Sequence, residues 1–272
     1  MLPAYTELHC LSNFSFLRGA SSPEELAERA QALGYAALAI TDECSVSGAV
    51  RAHFAAKEAG LPLVIGSELT LVDGTKLVLL ATDRASYGNL TQLITRGRRQ
   101  AKKGTYALSR ADVAAFADGL LALWIPPDVK GPGSISGDGD EGQCETKVGS
   151  DSTFRPRLAL SCDASEKSSL TLLSLATARW VAATFPHRGW IAVELFARAL
   201  DRARLVRCTA LSQASGLPQV AAGDVHMHAR ARRALQDTVT AIRVKKPLSE
   251  CGHALFSNGE RHLRSRARLA TS

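Results

Sequence analysis

The stretch YTELHCLSNFSFLRGAS, residues 5–21, begins with a strand-like run that ends in His9. A Gly-Ala-Ser-Ser turn leads into SSPEELAERAQALG, where Ser22 is a predicted N-cap and Glu25 closes a capping box. This order predicts a strand followed by a helix, which is the first unit of an α/β fold. A metal hydrolase would carry imidazoles at alternate positions after such a strand. Leu11 stands where the second imidazole would be.

Short apolar runs alternate with helical stretches along the rest of the chain, which predicts a mostly parallel sheet. An Asp73-Gly74 turn predicts that the following run, TKLVLLAT, is an antiparallel neighbour of the strand before it. The segment at about 128–153 is rich in Gly, Ser, Asp and Pro, and we expect a mobile loop there. The other predicted strands are AALAI (36–40), LPLVIGSEL (61–69), LLALWIP (120–126), WIAVEL (190–195) and LPQVAAG (217–223).

Composition excludes several classes of protein. Hydrophobic content of 46% and charged content of 22% are ordinary for a globular protein. No apolar run approaches the roughly 20 residues of a membrane span, and no signal-peptide pattern opens the chain. The six cysteines form no C-x-x-C pair, so the sequence predicts reduced thiols in a cytoplasm rather than a disulfide framework or a cysteine zinc site. They are Cys10, Cys44, Cys144, Cys162, Cys208 and Cys251.

The net charge of +7 lies at the C-terminal end. Residues 225–272 carry 10 Lys and Arg against 3 Asp and Glu, and 10 − 3 equals the whole excess. A second basic run, RGRRQAKK, covers residues 96–103. Basic segments of this kind indicate a nucleic acid or an acidic partner, and a solvated helix face is the alternative.

Polar side chains follow several predicted strands. In a βα barrel such residues converge on one mouth, where active sites are built. Taken one at a time, each has an ordinary explanation as a helix cap or a solvated turn. Together they form a set of imidazole and carboxylate groups that suits zinc, manganese or iron acting on a phosphoester, although few imidazoles are well placed. The residues are His9, Asp42, Glu43, Glu68, Glu194, Asp224 and His226.

Five stretches carry a resemblance to a known family. They are ELHCLSNFSFLRGAS, LAITDECSVSGAVRAH, IGSEL, LVLLATDRASYGNL and AAGDVHMHARARRALQDTVTAIR. Together they resemble the polymerase and histidinol phosphatase (PHP) domain. More closely, they resemble the N-terminal PHP domain of bacterial error-prone, alpha-subunit-like DNA polymerases of the C family. The resemblance covers nearly the whole chain, and its motifs occur in order. It implies a distorted (β/α)7-type barrel with a metal centre at the strand ends.

The family's ligand motifs are only partly present. The first motif, His-x-His, is His9-Cys10-Leu11 here, and the second, Asp-His, is Asp42-Glu43. Gly-x-Glu and the closing Asp-x-His are intact as Gly66-Ser67-Glu68 and Asp224-Val225-His226. A further family histidine falls near Lys76.

Lys76 is therefore the residue on which the prediction for the site depends. A leucine cannot ligate, and a bound cation repels an ammonium group. We therefore predict that Lys76 replaces the metal's charge among Asp42, Glu43, Glu68 and Asp224. A residual mononuclear site remains open as an alternative, with His9, Glu68, Asp224 and His226 as its ligands.

The resemblance implies a PHP domain over residues 1–228 and a basic helical segment over 229–272 that leads toward a polymerase module. It implies template-directed synthesis past damaged bases by the full-length family, with Mg²⁺ in a module that this sequence does not contain. We expect no catalytic residue and no cofactor in this chain, with Zn²⁺ or Mn²⁺ disfavoured. The alternatives are an independent metal-dependent phosphoesterase or 3′–5′ exonuclease, and a DNA-binding module without chemistry.

The expected partners are DNA, the polymerase module and other translesion or replication proteins, and no membrane. Phosphate contact is the mode of DNA binding that the composition supports, because aromatic residues are only 6% of the chain. The predicted DNA contacts are Arg261, Arg264, Arg266 and Arg268.

Overall fold

A computed structural model of the chain describes residues 2–128 and 164–271. Within these ranges one sheet contains seven strands in chain order, β1 (Thr6–Glu7), β2 (Ala37–Ile40), β3 (Leu63–Thr70), β4 (Lys76–Ala81), β5 (Leu120–Ile125), β6 (Gly189–Val193) and β7 (Gln219–Ala221). The helices are α1 (Pro23–Ala32), α2 (Ala49–Ala59), α3 (Arg84–Arg99), α4 (Arg110–Ala115), α5 (Ala164–Thr184), α6 (Asp201–Ser215), α7 (Arg233–Val244) and α8 (Arg266–Ala270). Short 3-10 helices cover Arg230–Arg232, Leu248–Glu250 and Gly252–Ala254.

Strand β4 runs against the direction of the other six strands. It pairs antiparallel with both β3 and β5, whereas the remaining neighbours in the sheet are parallel. The hairpin predicted from Asp73-Gly74 is thus confirmed. Because β4 is reversed, its first residue, Lys76, lies at the end of the barrel where the other strands have their carboxyl ends.

The sheet closes on itself between the residues that follow β1 and those that follow β7. Val225 donates its amide N–H to the carbonyl of His9 at 2.9 Å, and Leu11 donates to the carbonyl of Val225 at 2.8 Å. Glu7 reinforces this seam, because its Oε1 accepts the backbone N–H of Gly223 at 2.8 Å. The α/β barrel expected from the sequence is confirmed.

The seam leaves no room for a side chain at Gly223. A Cβ there would lie 2.3 Å from Oε2 of Glu7. Glu7 is buried and held by the hydroxyl of Tyr5 and the amide of His9, so it cannot move aside. We expect Gly223→Ala to lower the free energy of unfolding by about 1–3 kcal/mol, as overpacking does. Urea unfolding measures this, with Gly88→Ala as the control.

Gly88 lies inside α3, and an added Cβ there would meet no atom of the described residues within 4 Å apart from the helix's own backbone. In an open helical position alanine is favoured over glycine by up to about 1 kcal/mol, so the control should be neutral or stabilising. Equal midpoints for the two variants would contradict a tight seam.

Two kinds of core support the barrel. The inner core consists of alternate strand residues, as expected for side chains that point to one face of a sheet. The outer cores lie between the sheet and its helices and contain the large buried side chains Trp124 and Phe185. The inner residues are Ala39, Val78, Leu80, Leu123, Ile125, Ala192 and Ala222.

The segment after residue 228 packs back onto the barrel. The backbone N–H of His226 donates to the carbonyl oxygen of Arg261 at 3.0 Å. The hydroxyl of Tyr35 donates to the carbonyl oxygen of Arg264 at 2.7 Å. Leu263 lies in the same buried cluster as Val225. Residues on the two sides of the boundary predicted after residue 228 are thus in direct contact.

Two further expectations concern the rest of the chain. The loop predicted at about 128–153 lies outside the described residues, apart from Asp128. None of the helices in the described ranges has the length and apolar character that crossing a bilayer requires.

Candidate functional site

The polar side chains that follow the strands meet at one end of the barrel. Lys76 joins them because β4 is reversed. We call this group the mouth cluster. It consists of His9, Glu68, Lys76, Glu194, Asp224 and His226.

His9 lies at the centre of the mouth cluster and is fully buried. Its Nδ1 is 2.7 Å from Oε1 of Glu194, and its Nε2 is 2.8 Å from Oε2 of Glu68. Burial alone would lower the pKa of His9, but the hydrogen bonds to the two carboxylates outweigh it and raise the pKa. A ring with a carboxylate at each nitrogen is favoured as an imidazolium, which donates twice and offers no lone pair to a metal.

Glu68 is neutralised by two further cations. Lys76 places its Nζ 2.9 Å from Oε2 of Glu68, and Arg18 places Nη1 2.6 Å from Oε1. Burial alone would raise the pKa of Glu68, but the charges of Lys76 and Arg18 hold it well below its usual range. Arg18 also bridges to Glu43 at 2.8 Å, so Glu43 reaches the mouth cluster through this guanidinium.

Asp224 has its own guanidinium partner. Arg261 forms an ion pair with Oδ2 of Asp224 and lies between the rings of Phe196 and Phe256, at 4.2 and 4.3 Å from their centroids. Burial lowers the pKa of Arg261 to about 10, which leaves it charged at neutral pH. The ring of His226 contacts the other oxygen of Asp224 at 3.0 Å.

Asp42 lies apart from these cations, contrary to the expectation that it faces Lys76. Its carboxylate accepts the backbone N–H and the hydroxyl of Ser12 and the hydroxyl of Ser15, each at 2.8 Å. Burial raises the pKa of Asp42, and the hydrogen bonds from Ser15 and Ser12 oppose this. Asp42 therefore fixes the turn that contains Ser12 and Ser15, and this turn places Arg18 at the mouth cluster.

Leu11 is fully buried, and its backbone forms part of the barrel seam. The position where the resemblance implies a second imidazole is thus part of the apolar interior.

The spacing of three residues would allow a metal ion, but their present contacts do not. Ligand atoms of His9, Glu68 and Asp224 lie within 4.8 Å of one another. Each is already engaged, His9 by two carboxylates, Glu68 by Lys76 and Arg18, and Asp224 by Arg261. Glu194 likewise faces Arg204, with Nη2 3.5 Å from Oε2. This donor set does not fit a metal cluster.

Sequence reasoning missed Arg18 and assigned Arg261 to a different surface. Arg18 is the one Lys or Arg within the quoted stretch 5–21 and directly follows Phe16 and Leu17, which is a signal that could have identified it. Arg261 carries no comparable signal, because it meets Asp224 only through the return of the C-terminal segment.

The four arginines predicted to contact DNA are all engaged within the chain. Arg261 is in the mouth cluster's charge network, and buried Arg264 donates to the carbonyl of Leu195 at 3.0 Å. Arg266 donates to the carbonyl of Leu2 at 2.6 Å, and Arg268 pairs with Glu260 at 2.9 Å. Arg264 is buried and Arg261 is partly buried, so neither has the exposed surface position that the sequence suggested.

Comparison with known proteins agrees with this fold. Residues 7–141 match the model of the PHP domain family. An amidohydrolase from Chromobacterium violaceum, solved with bound sulfate and no metal, superposes with a TM-score of 0.50 and 18% identity, covering 82% of this chain and 88% of that one. At that identity the likeness concerns the fold alone. The barrel and the matched motifs define the class, and the chain belongs to the PHP domain family.

Sequence relatives narrow this further. An error-prone DNA polymerase from Dechloromonas aromatica is 49% identical over an alignment of 274 positions, which covers 99% of this chain and 22% of the polymerase. One from Pseudomonas aeruginosa is 50% identical over 264 residues, which cover 97% of this chain and 21% of the polymerase. Within the PHP family, the chain is related over nearly its whole length to the PHP-containing part of error-prone DNA polymerases. It spans about a fifth of their length.

Proposed function

We propose that this chain acts as the PHP portion of an error-prone DNA polymerase, with a structural role in place of hydrolysis. The observation that carries the proposal is that each carboxylate of the mouth cluster contacts a cation of the chain itself. These cations supply the positive charge that metal ions supply in a PHP centre. The barrel is then held together without a cofactor and serves as a scaffold.

The names of the relatives suggest the activity that this scaffold would support. Their name points to template-directed DNA synthesis of low fidelity, and we extend it to translesion synthesis and DNA repair in the cytoplasm. Nucleotidyl transfer of this kind uses carboxylates that hold two Mg²⁺ ions, and the mouth cluster's carboxylates are paired with Lys76, Arg18 and Arg261 instead. DNA and the polymerase module are the partners that follow from the proposal.

A metal-dependent phosphoesterase is the second candidate, and one observation favours it. His9, Glu68 and Asp224 are close enough to share an ion if the cations around them withdraw. For this to happen, Glu68 and Asp224 would have to exchange Lys76, Arg18 and Arg261 for a metal, and His9 would have to lose a proton.

Metal analysis separates the two candidates. After dialysis against Zn²⁺ or Mn²⁺ and removal of free ions, we expect less than one equivalent of metal per chain. We also expect no hydrolysis of a phosphodiester substrate and no change in the thermal unfolding midpoint on addition of EDTA. Stoichiometric metal together with chelator-sensitive hydrolysis would overturn the structural role and establish the phosphoesterase.

A further inference from the structure

Helix α3 and the turn after it form a surface of one charge sign. Residues 84–111 contain no Asp or Glu. Over the same span the chain carries Arg84, Arg96, Arg98, Arg99, Lys102, Lys103 and Arg110. Two of these residues are neutralised by acids from outside the span, since Arg96 pairs with Asp112 and Arg110 with Asp73.

The end of α3 is held rigidly against the barrel. Arg98 donates to the carbonyl of Cys44 at 3.1 Å and lies over the ring of Tyr106, 5.3 Å from its centroid. Gly97 packs against Leu108 so closely that a Cβ would lie 2.7 Å from Leu108 Cγ. The basic turn therefore starts from a fixed point and does not extend as a loose tail.

Three cations of this turn have no partner in the part of the chain that the structure describes. Arg99, Lys102 and Lys103 are exposed, and none forms an ion pair or a side-chain hydrogen bond with the described residues. This differs from the arginines at 261, 264, 266 and 268, all of which the fold itself uses. Among the described residues, unpaired positive charge therefore lies at the end of α3 and in the turn after it.

An open groove adjoins one of these cations, Arg99. It has a volume of about 510 Å³, and the guanidinium groups of Arg96 and Arg99 line it together with the amide side chains of Gln92 and Gln100 and the ring of Phe116. Guanidinium and amide groups are frequent donors to phosphate and sugar oxygens, and an aromatic side chain offers a surface on which a base can stack.

We propose that the α3 surface, comprising Arg96, Arg99, Lys102, Lys103 and the adjoining groove, binds the phosphate backbone of single-stranded DNA. The unpaired cations Arg99, Lys102 and Lys103, together with the amide donors of the groove, suit the phosphates along a strand. The α3 surface should bind DNA independently of base sequence. Its groove offers cations and a single aromatic ring, and not a set of side chains that could hydrogen-bond to base edges. The choice of DNA over an acidic protein rests on the proposed function, since the relatives are DNA polymerases.

The test compares the full chain with a variant in which the three unpartnered cations are neutralised, Arg99→Gln, Lys102→Gln and Lys103→Gln. The probe is a fluorescent oligothymidylate, and its affinity is measured at several salt concentrations. Each phosphate contact on a single strand contributes a slope of about 0.7 to log affinity against log salt, so the slope should fall by about 2. Affinity at low salt should fall by roughly 100-fold.

The control removes the same number of charges from another exposed run, with Arg243→Gln, Lys245→Gln and Lys246→Gln at the end of α7. It should retain most of the affinity and the slope. An equal loss in both variants would mean that only net charge matters, and an unchanged slope in the α3 variant would mean that its cations merely complement the carboxyl end of the helix. Either result overturns the proposal.

A competitor identifies the class of partner. Polyglutamate should displace the oligothymidylate poorly, and equal displacement would assign the surface to an acidic protein. Metal analysis tests the structural role of the mouth cluster, and DNA binding tests the α3 surface. Failure of one therefore does not imply failure of the other.

Discussion

Replacing Arg261 with methionine should lower the free energy of unfolding by about 3–5 kcal/mol, the usual cost of removing one partner of a buried ion pair. Asp224 is 3% exposed and would be left with the ring of His226 as its nearest polar neighbour. Methionine keeps an unbranched apolar stem between Phe196 and Phe256, so the loss reports the charge more than the packing. Urea unfolding at neutral pH measures the difference.

Arg202→Met is the matched control. Arg202 is an exposed residue of α6 with no ion pair among the described residues, and its substitution changes the net charge equally. Its effect should stay within about 0.5 kcal/mol, as for most surface substitutions. If Arg261→Met and Arg202→Met unfold at the same urea concentration, Asp224 does not depend on Arg261.

Lys76→Met should lower the free energy of unfolding by about 3 kcal/mol near neutral pH. The expected loss is at the low end for a buried pair because Arg18 still contacts Glu68 after the substitution. Lys57→Met removes an exposed lysine of α2 and serves as the control.

The effect of Lys76→Met should depend on pH in a defined direction. The folded protein holds the pKa of Glu68 below its unfolded value, so the ion pair stabilises the fold fully above the unfolded carboxylate pKa of about 4.3. That contribution disappears as the pH falls through the folded pKa, because Glu68 then takes up a proton. The unfolding curves of the parent and the variant should converge in acid. A difference that stays constant from neutral pH to acid would show that Lys76 acts through packing and not through Glu68.

Local sequence signals predicted the elements that depend on neighbouring residues. The capping box of α1 forms as expected, with Ser22 accepting the amide of Glu25 and Glu25 accepting the amide of Ser22. The Asp73-Gly74 hairpin predicted the reversed strand, and the position of Lys76 at the mouth follows from that reversal. These predictions succeed because caps and turns are decided within a few residues.

The charge network of the mouth could not be predicted in the same way. Arg261 reaches Asp224 only because the chain after residue 228 folds back, and no periodicity marks that return. Its position in a basic segment suggested an exposed side chain instead. Asp42 was grouped with the other carboxylates because it follows a strand, but two serines of the first turn saturate it. The contacts of Arg261 and Asp42 are therefore decided by partners distant in sequence, which residue type alone does not reveal.

The barrel seam has a consequence for how the protein is made. Glu7 and Gly223, which meet at the seam, are 216 residues apart. A ribosome that adds about 5–20 residues per second needs about 10–40 s to cover that distance. During this interval β1 can pair with β2, but its other edge has no partner. Glu7 keeps that edge charged during synthesis, which disfavours pairing with a neighbouring nascent chain. We therefore expect the carboxylate that joins the two ends of the closed barrel also to disfavour aggregation while the barrel is still open.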